Sequence, residues 1–148
     1  MSQTTLDIKE PGLNVLPPGV ERHVVNAGGL TGLQIFPDDE IEIINEEGNQ
    51  ICEIICFDKD GKSELGILNQ KENCKKSFIK ELLKGKDESS LITNLQLKKR
   101  NLDINKSKSS ILFDEQTPSG EKIKIKSKDK CYVIFAAPQN NMLVSEQN

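Results

Sequence analysis

The chain has 148 residues, enough for one domain that buries roughly 70% of its unfolded surface without a disulfide or metal staple. Five Phe, one Tyr and no Trp leave few faces on which bases could stack, which counts against a nucleic-acid platform. The net charge of −3 hides an asymmetry: residues 38–64 carry ten acids and two bases, whereas residues 71–130 carry nine acids and sixteen bases. Such a split fits either two halves that pack together and partly neutralise each other, or a basic half that meets an anionic small molecule or partner.

The first residues, "MSQTTLDIKEPG", have neither a basic start nor an apolar stretch, so no secretory leader is expected. No apolar run nears the ~18 residues of a membrane span. With Cys52, Cys56, Cys74 and Cys131 read as reduced thiols, the expected location is cytoplasmic. Residues 1–21 read as an extended arm, because Pro11, Pro17 and Pro18 remove amide donors. Residues 22–140 form a single β-rich domain, and 141–148 a polar tail or truncated boundary.

Within the domain, "ERHVVN" and "LQIF" read as short strands around a glycine-marked turn, "AGGLTG". "EIEIIN" alternates Ile with Glu, the pattern of a half-buried strand, and "QICEIICF" is a more apolar one. The "NEEGN" between them, with Gly48, predicts a hairpin loop, and "DKDG" a second turn. "NCKKSFIKELLKG" predicts one packed helix over about 73–84, capped by Asn73 and stopped by Gly85. "SSLITNLQLKKRN" fits helix and strand equally. Three further strands follow, in "ILF", "EKIKIK" and "YVIFAA". The fold class is therefore mainly β (α+β), an antiparallel barrel-like or sandwich sheet with one packed helix.

The chemistry-bearing residues are few. On one strand Cys52 and Cys56 would lie ~13 Å apart, too far to share a zinc ion. They read as small buried hydrophobes, and no metal site is expected. "DKDGKSEL" fails the calcium-loop pattern, with Lys62, Ser63 and Asn69 at positions that need an oxygen ligand, Gly and Glu. Glu53 sits inside an apolar strand, so it either faces solvent or is a buried acid that needs partners. His23 is the only histidine. Lys122, Lys124, Lys126 and Lys128 line one face of a strand, as an edge guard or as a lure for an anion. No nucleophile motif and no phosphate-binding glycine loop is present, so no catalytic residue is assigned. The candidate ligand-binding set is His23, Gln50, Glu53, Lys122, Lys124 and Lys126.

The stretch from "PPGVERHVVNAGGLTGLQIF" to "PDDEIEIINEEGNQICEIICFD" resembles the start of the urea carboxylase-associated domain family. A weaker likeness lies in "CYVIFAAPQNNM". Asp38, Asp39, Ile41, Ile43, Glu47, Gly48, Asn49, Gln50 and Glu53 fill the places of its pattern, with Glu53 where an aspartate is expected. Larger members carry later Cys and His positions that could bind metal. Only Cys74 and Cys131 stand in that half here, so no metal site is carried over. Modules of this type also resemble the N-terminal regions of aminomethyltransferase-like proteins, relatives of the glycine cleavage T-protein. The resemblance implies an accessory small-molecule-binding or docking module in one-carbon or amine metabolism, not catalytic alone. Its partner would be a catalytic transferase domain or subunit. No cofactor is expected in this domain, with tetrahydrofolate possible for the parent transferase. The rival expectations are a stand-alone enzyme of the urea carboxylase-associated type and a pure protein-interaction domain with a flat patch and no pocket. Neither nucleic acid nor membrane is an expected partner.

Overall fold

A computed structural model describes residues 23, 25–74 and 76–139. The expected arm over 1–21 and tail over 141–148 lie outside them, as does most of the expected "ERHVVN" strand, whose described members His23, Val25 and Asn26 are not in a strand. The strands are β1 (Leu30–Ile35), β2 (Glu40–Asn45), β3 (Cys52–Asp58), β4 (Ser109–Phe113), β5 (Glu121–Lys126) and β6 (Cys131–Ala136). The helices are α1 (Phe78–Leu82) and α2 (Glu88–Lys99). The fold is mainly β within an α+β class, as the sequence pattern indicates, and its two sheets do not close into a barrel.

The composition of each strand decides its place. β3 and β6 are apolar on both faces, and they take the centre of an antiparallel four-stranded sheet of order β1-β6-β3-β4. β2 and β5 alternate charged and apolar residues, so each can bury only one face. They pair as a separate two-stranded ribbon in which Ile41 meets Ile125, Ile43 meets Ile123 and Glu42 meets Lys124. This corrects the expected hairpin: the strands flanking Gly48 belong to different sheets. Gly48 still occupies the left-handed region (φ +79°) and lies tight against the Ser119 backbone, where a Cβ would clash.

Three layers result. Cys52, Ile54 and Cys56 of β3 and Val133 and Phe135 of β6 face the ribbon, packing with Ile43 and Ile125. The alternate residues, Ile55 and Phe57 with Tyr132 and Ile134, face the helices and pack with Ile79, Leu83 and Leu97. Burying Ile54 and Ile55 completely contributes on the order of 1.5–3 kcal/mol for each side chain.

The helical region departs from the expected single helix over 73–84. Asn73 does not cap a helix. Its side chain clamps the β4 backbone, accepting from Ile111 N at 2.6 Å and donating to Ile111 O at 3.2 Å. Ser77 caps α1 instead, and the longer helix is α2, in the segment whose pattern fitted both states. Among the described residues no helix is long and apolar enough to cross a membrane.

Candidate functional site between the two sheets

The ribbon and the four-stranded sheet do not meet along their whole length. Between them lies a cavity of about 330 Å³, at the lower end of the range for small-molecule sites. Ile41 and Ile43 of β2 form one wall, and Leu33, Cys52, Phe113 and Phe135 of the sheet form the other. His23 and Asp39, both exposed, stand at its rim. The Asp39 carboxylate accepts a hydrogen bond from Phe36 N at 2.9 Å, which fixes the turn that leads into β2.

The polar end is built by two amides. Asn45 occupies an inward slot of β2, where the alternation Ile41–Ile43 calls for an apolar residue, and it is only 2% exposed. Its Nδ2 donates to Gln50 O at 2.8 Å. The Gln50 side chain in turn donates from Nε2 to Ile51 O (2.9 Å) and Pro138 O (2.7 Å). The loop between β2 and β3 is thus tied to the end of β6. The amides give the cavity a rigid polar floor beneath apolar walls.

Of the six residues expected to bind a ligand, the structure brings two to this cavity, His23 and Gln50. It places the other four elsewhere. Lys122, Lys124 and Lys126 are exposed on the outer face of the ribbon, away from Ile123 and Ile125, and Lys124 lies 3.9 Å from Glu42. The acidic and basic halves of the sequence therefore meet, in part, across β2 and β5. Glu53 lies on the opposite face of β3, towards the helices, with no exposed surface. Its Oε1 accepts from the Phe78 and Ile79 N–H groups at 2.8 and 3.0 Å, and its Oε2 from the Ser77 hydroxyl at 2.6 Å. It fastens α1 to the sheet. Burial pushes its pKa above the usual 4.5, against the opposing pull of the Ser109 and Ser77 hydroxyls and the Ile79 and Phe78 N–H groups.

Three of the four thiols, Cys52, Cys56 and Cys74, are held protonated; Cys131 is the exception, lowered to about 7 by hydrogen bonds with Cys56 and Ser127, although it is only 1% exposed. Burial, with the Glu53 charge next to it, pushes the Cys52 thiol up to about 12, so it stays protonated at neutral pH. A hydrogen bond with Cys131 and burial likewise hold Cys56 protonated. All four cysteines are free, and Cys52 and Cys56 lie on one continuous strand. Among the described residues no group of three or more His, Cys, Asp or Glu side chains is placed to hold a metal ion. "DKDG" is a self-satisfied turn: Asp58 Oδ1 accepts from the N–H groups of Asp60 and Lys62, both at 2.9 Å. Asp39 and Asn45 were missed by sequence reasoning. An amide in the inward register of an alternating strand was the available signal for Asn45, whereas Asp39 carries none beyond its turn.

The chain is similar to a trimethylamine-oxide aldolase of Ruegeria pomeroyi, at 34% identity over 131 residues. The match takes in 88% of this chain and 17% of the relative, so the chain spans about a sixth of that protein's length. No family model matches the chain, and no solved structure does. The match overturns the expectation of a non-catalytic accessory module of an aminomethyltransferase-like protein. The related protein is an aldolase, which is a lyase and not a transferase, and the similarity runs across nearly the whole chain. The flat patch without a pocket, expected of a pure interaction domain, does not describe the face that carries the cavity.

Proposed function

We propose that this chain takes part in the lyase cleavage of trimethylamine oxide or a closely related methylated amine oxide, and that the cavity between the sheets holds that molecule. The observation that carries this reading is the similarity to a trimethylamine-oxide aldolase across 88% of the chain. The cavity supports it chemically. An amine oxide presents apolar methyl groups on one side and a strongly accepting oxygen on the other. Ile41, Ile43 and Phe135 offer apolar surface to the methyls. The oxygen needs a donor: Asn45 Nδ2 keeps one N–H beyond the one it gives to Gln50 O, and the Thr31 hydroxyl also lines the cavity, whereas both Nε2 hydrogens of Gln50 already go to Ile51 O and Pro138 O.

An aldolase acting on trimethylamine oxide releases an aldehyde, and only a one-carbon aldehyde can come from a methyl group. The balance closes as trimethylamine oxide giving dimethylamine and formaldehyde. The N–O bond, one N–CH3 bond and one C–H bond of that methyl group are lost; the carbon gains the oxygen as C=O, and the hydrogen ends on nitrogen as the N–H of dimethylamine. Carbon is oxidised as nitrogen is reduced, so no outside oxidant enters. A site for such a step must hold a polar but largely methyl-covered molecule away from bulk water.

The test is to incubate the purified chain with trimethylamine oxide and follow methyl signals by proton NMR, with an aldehyde assay in parallel. The expected result is dimethylamine and formaldehyde in equal amounts, with the Ile41→Trp variant, which fills the cavity from a partly exposed position, slowing release at least about tenfold. Neither product appearing, or a rate unchanged in Ile41→Trp, overturns the proposal.

A further inference from the structure

Helix α2 turns its apolar side chains outward. The face it lays on the sheet holds Ser90, Thr93 and Leu97, which are 2%, 2% and 5% exposed. Leu91, Ile92 and Leu95, on the far side, are 52%, 51% and 66% exposed. At about 100° per residue, Glu88, Ile92, Leu95 and Lys99 share a sector of roughly 60° opposite the buried trio, with Leu91 at its flank. Along the axis that sector runs acid, apolar, apolar, base.

Such a face is complementary to itself when reversed. We propose that α2 pairs antiparallel with α2 of a second copy of this chain, about a twofold axis that crosses the helix between Thr93 and Asn94. In that register Glu88 lies level with the partner's Lys99, and Ile92 level with the partner's Leu95. The symmetry repeats each contact, as an isologous interface requires. Antiparallel packing also opposes the two helix dipoles. The same acid at one end makes the face a poor match to an anionic membrane surface, whereas a reversed copy neutralises both ends. A single helix pair covers less than the ~1,200 Å² of a stable interface, so the dimer is a weak, concentration-dependent one.

Sedimentation velocity from about 10 μM to 1 mM tests this, a concentration range in which a small, weak interface can be read. The expected result is a mass that rises from monomer towards dimer over that range. Leu95→Glu weakens association at least about tenfold, because two carboxylates would enter an apolar seam. Glu88→Lys and Lys99→Glu each weaken it, and the double variant E88K/K99E restores it. All of these positions are exposed, so the fold tolerates the changes, and far-UV circular dichroism verifies it. A monomer at every concentration, a dimer indifferent to Leu95→Glu, or a charge swap that fails to restore association overturns the proposal and leaves the face to some other occupant.

Discussion

Glu53 has no exposed surface, yet it is held by one hydroxyl and two backbone N–H donors. Burial is the larger influence, so its folded pKa lies above the unfolded value near 4.5. Between those two values the folded state binds more protons than the unfolded one. Stability from this group is therefore greatest at low pH and falls as pH rises from about 4.5 through the folded pKa. Glu53→Gln cannot titrate, so urea unfolding at a series of pH values is expected to lose that slope. A variant profile parallel to that of the wild type across the window would refute the assignment. Glu53→Ala removes the acceptor altogether and leaves two buried N–H groups unpaired beside a void, at an expected cost of about 3 kcal/mol. From the sequence alone, Glu53 was an acid flanked on its own strand face by Ile51, Ile55 and Phe57. That pattern leaves solvent exposure and burial both open, and it does not give the partners. Ser77, Phe78 and Ile79 lie more than twenty residues downstream, and nothing local to Glu53 identifies them.

At the scale of elements, the pattern of faces sorted the strands better than turn chemistry paired them. "QICEIICF" reads as the more fully apolar strand and lies at the centre of its sheet; "EIEIIN" reads as half-buried and "EKIKIK" as alternating, and the two form the ribbon. Gly48 supports a turn of positive φ, but a turn does not dictate that its flanking strands pair. Here the Glu42–Lys124 match and the Ile41–Ile125 match in the β2–β5 register won over the local hairpin. The expected helix over 73–84 is present but shorter, as α1, for a related reason. Asn73, a good cap in isolation, found a better partner in the Ile111 backbone of β4, and Ser77 took the capping place. The cap of α2 is testable: the Asp87 carboxylate accepts from Ser90 N at 3.0 Å, and hydrogen bonding to the Ser90 side chain first, then to the Ser90 backbone and Ser89, lowers its pKa below 3.8. A depressed carboxylate contributes stability above its unfolded pKa and loses it as pH falls through the folded one. Asp87→Ala is expected to cost about 0.5–1 kcal/mol at neutral pH, the lower part of the capping range because the group is largely exposed. The gap to wild type in chemical denaturation should close as the pH falls below 3.8. A gap that stays constant into acid would mean that the charge of Asp87 plays no part in the cap.

For the whole molecule, three layers leave two sides with different tasks. The helix side is closed by Glu53 and packed by Ile55, Phe57, Ile79 and Leu97. The ribbon side leaves space, with a polar floor from Asn45 and Gln50. His23 and Gln50 could be picked out of the sequence, and Asn45 carried a signal in its inward register; their neighbours Asp39 and Phe135 could not, because they come together only through the β2–β5 ribbon folding over the face of β1 and β6. The lysine row was legible as a face but not as an outer one, since which side of a two-stranded ribbon is covered depends on what packs beneath it. The acidic and basic halves meet across that ribbon, and the similarity to an aldolase runs through all three layers.

The most direct measurement is a titration of the nitrogen-15-labelled chain with trimethylamine oxide, read by amide shifts. Binding in the cavity predicts saturable shifts at Ile41, Ile43, Asn45, Gln50 and Cys52, with Ile79 and Leu97 on the helix side unmoved. No saturable shift, or shifts centred on α1 and α2, would contradict it.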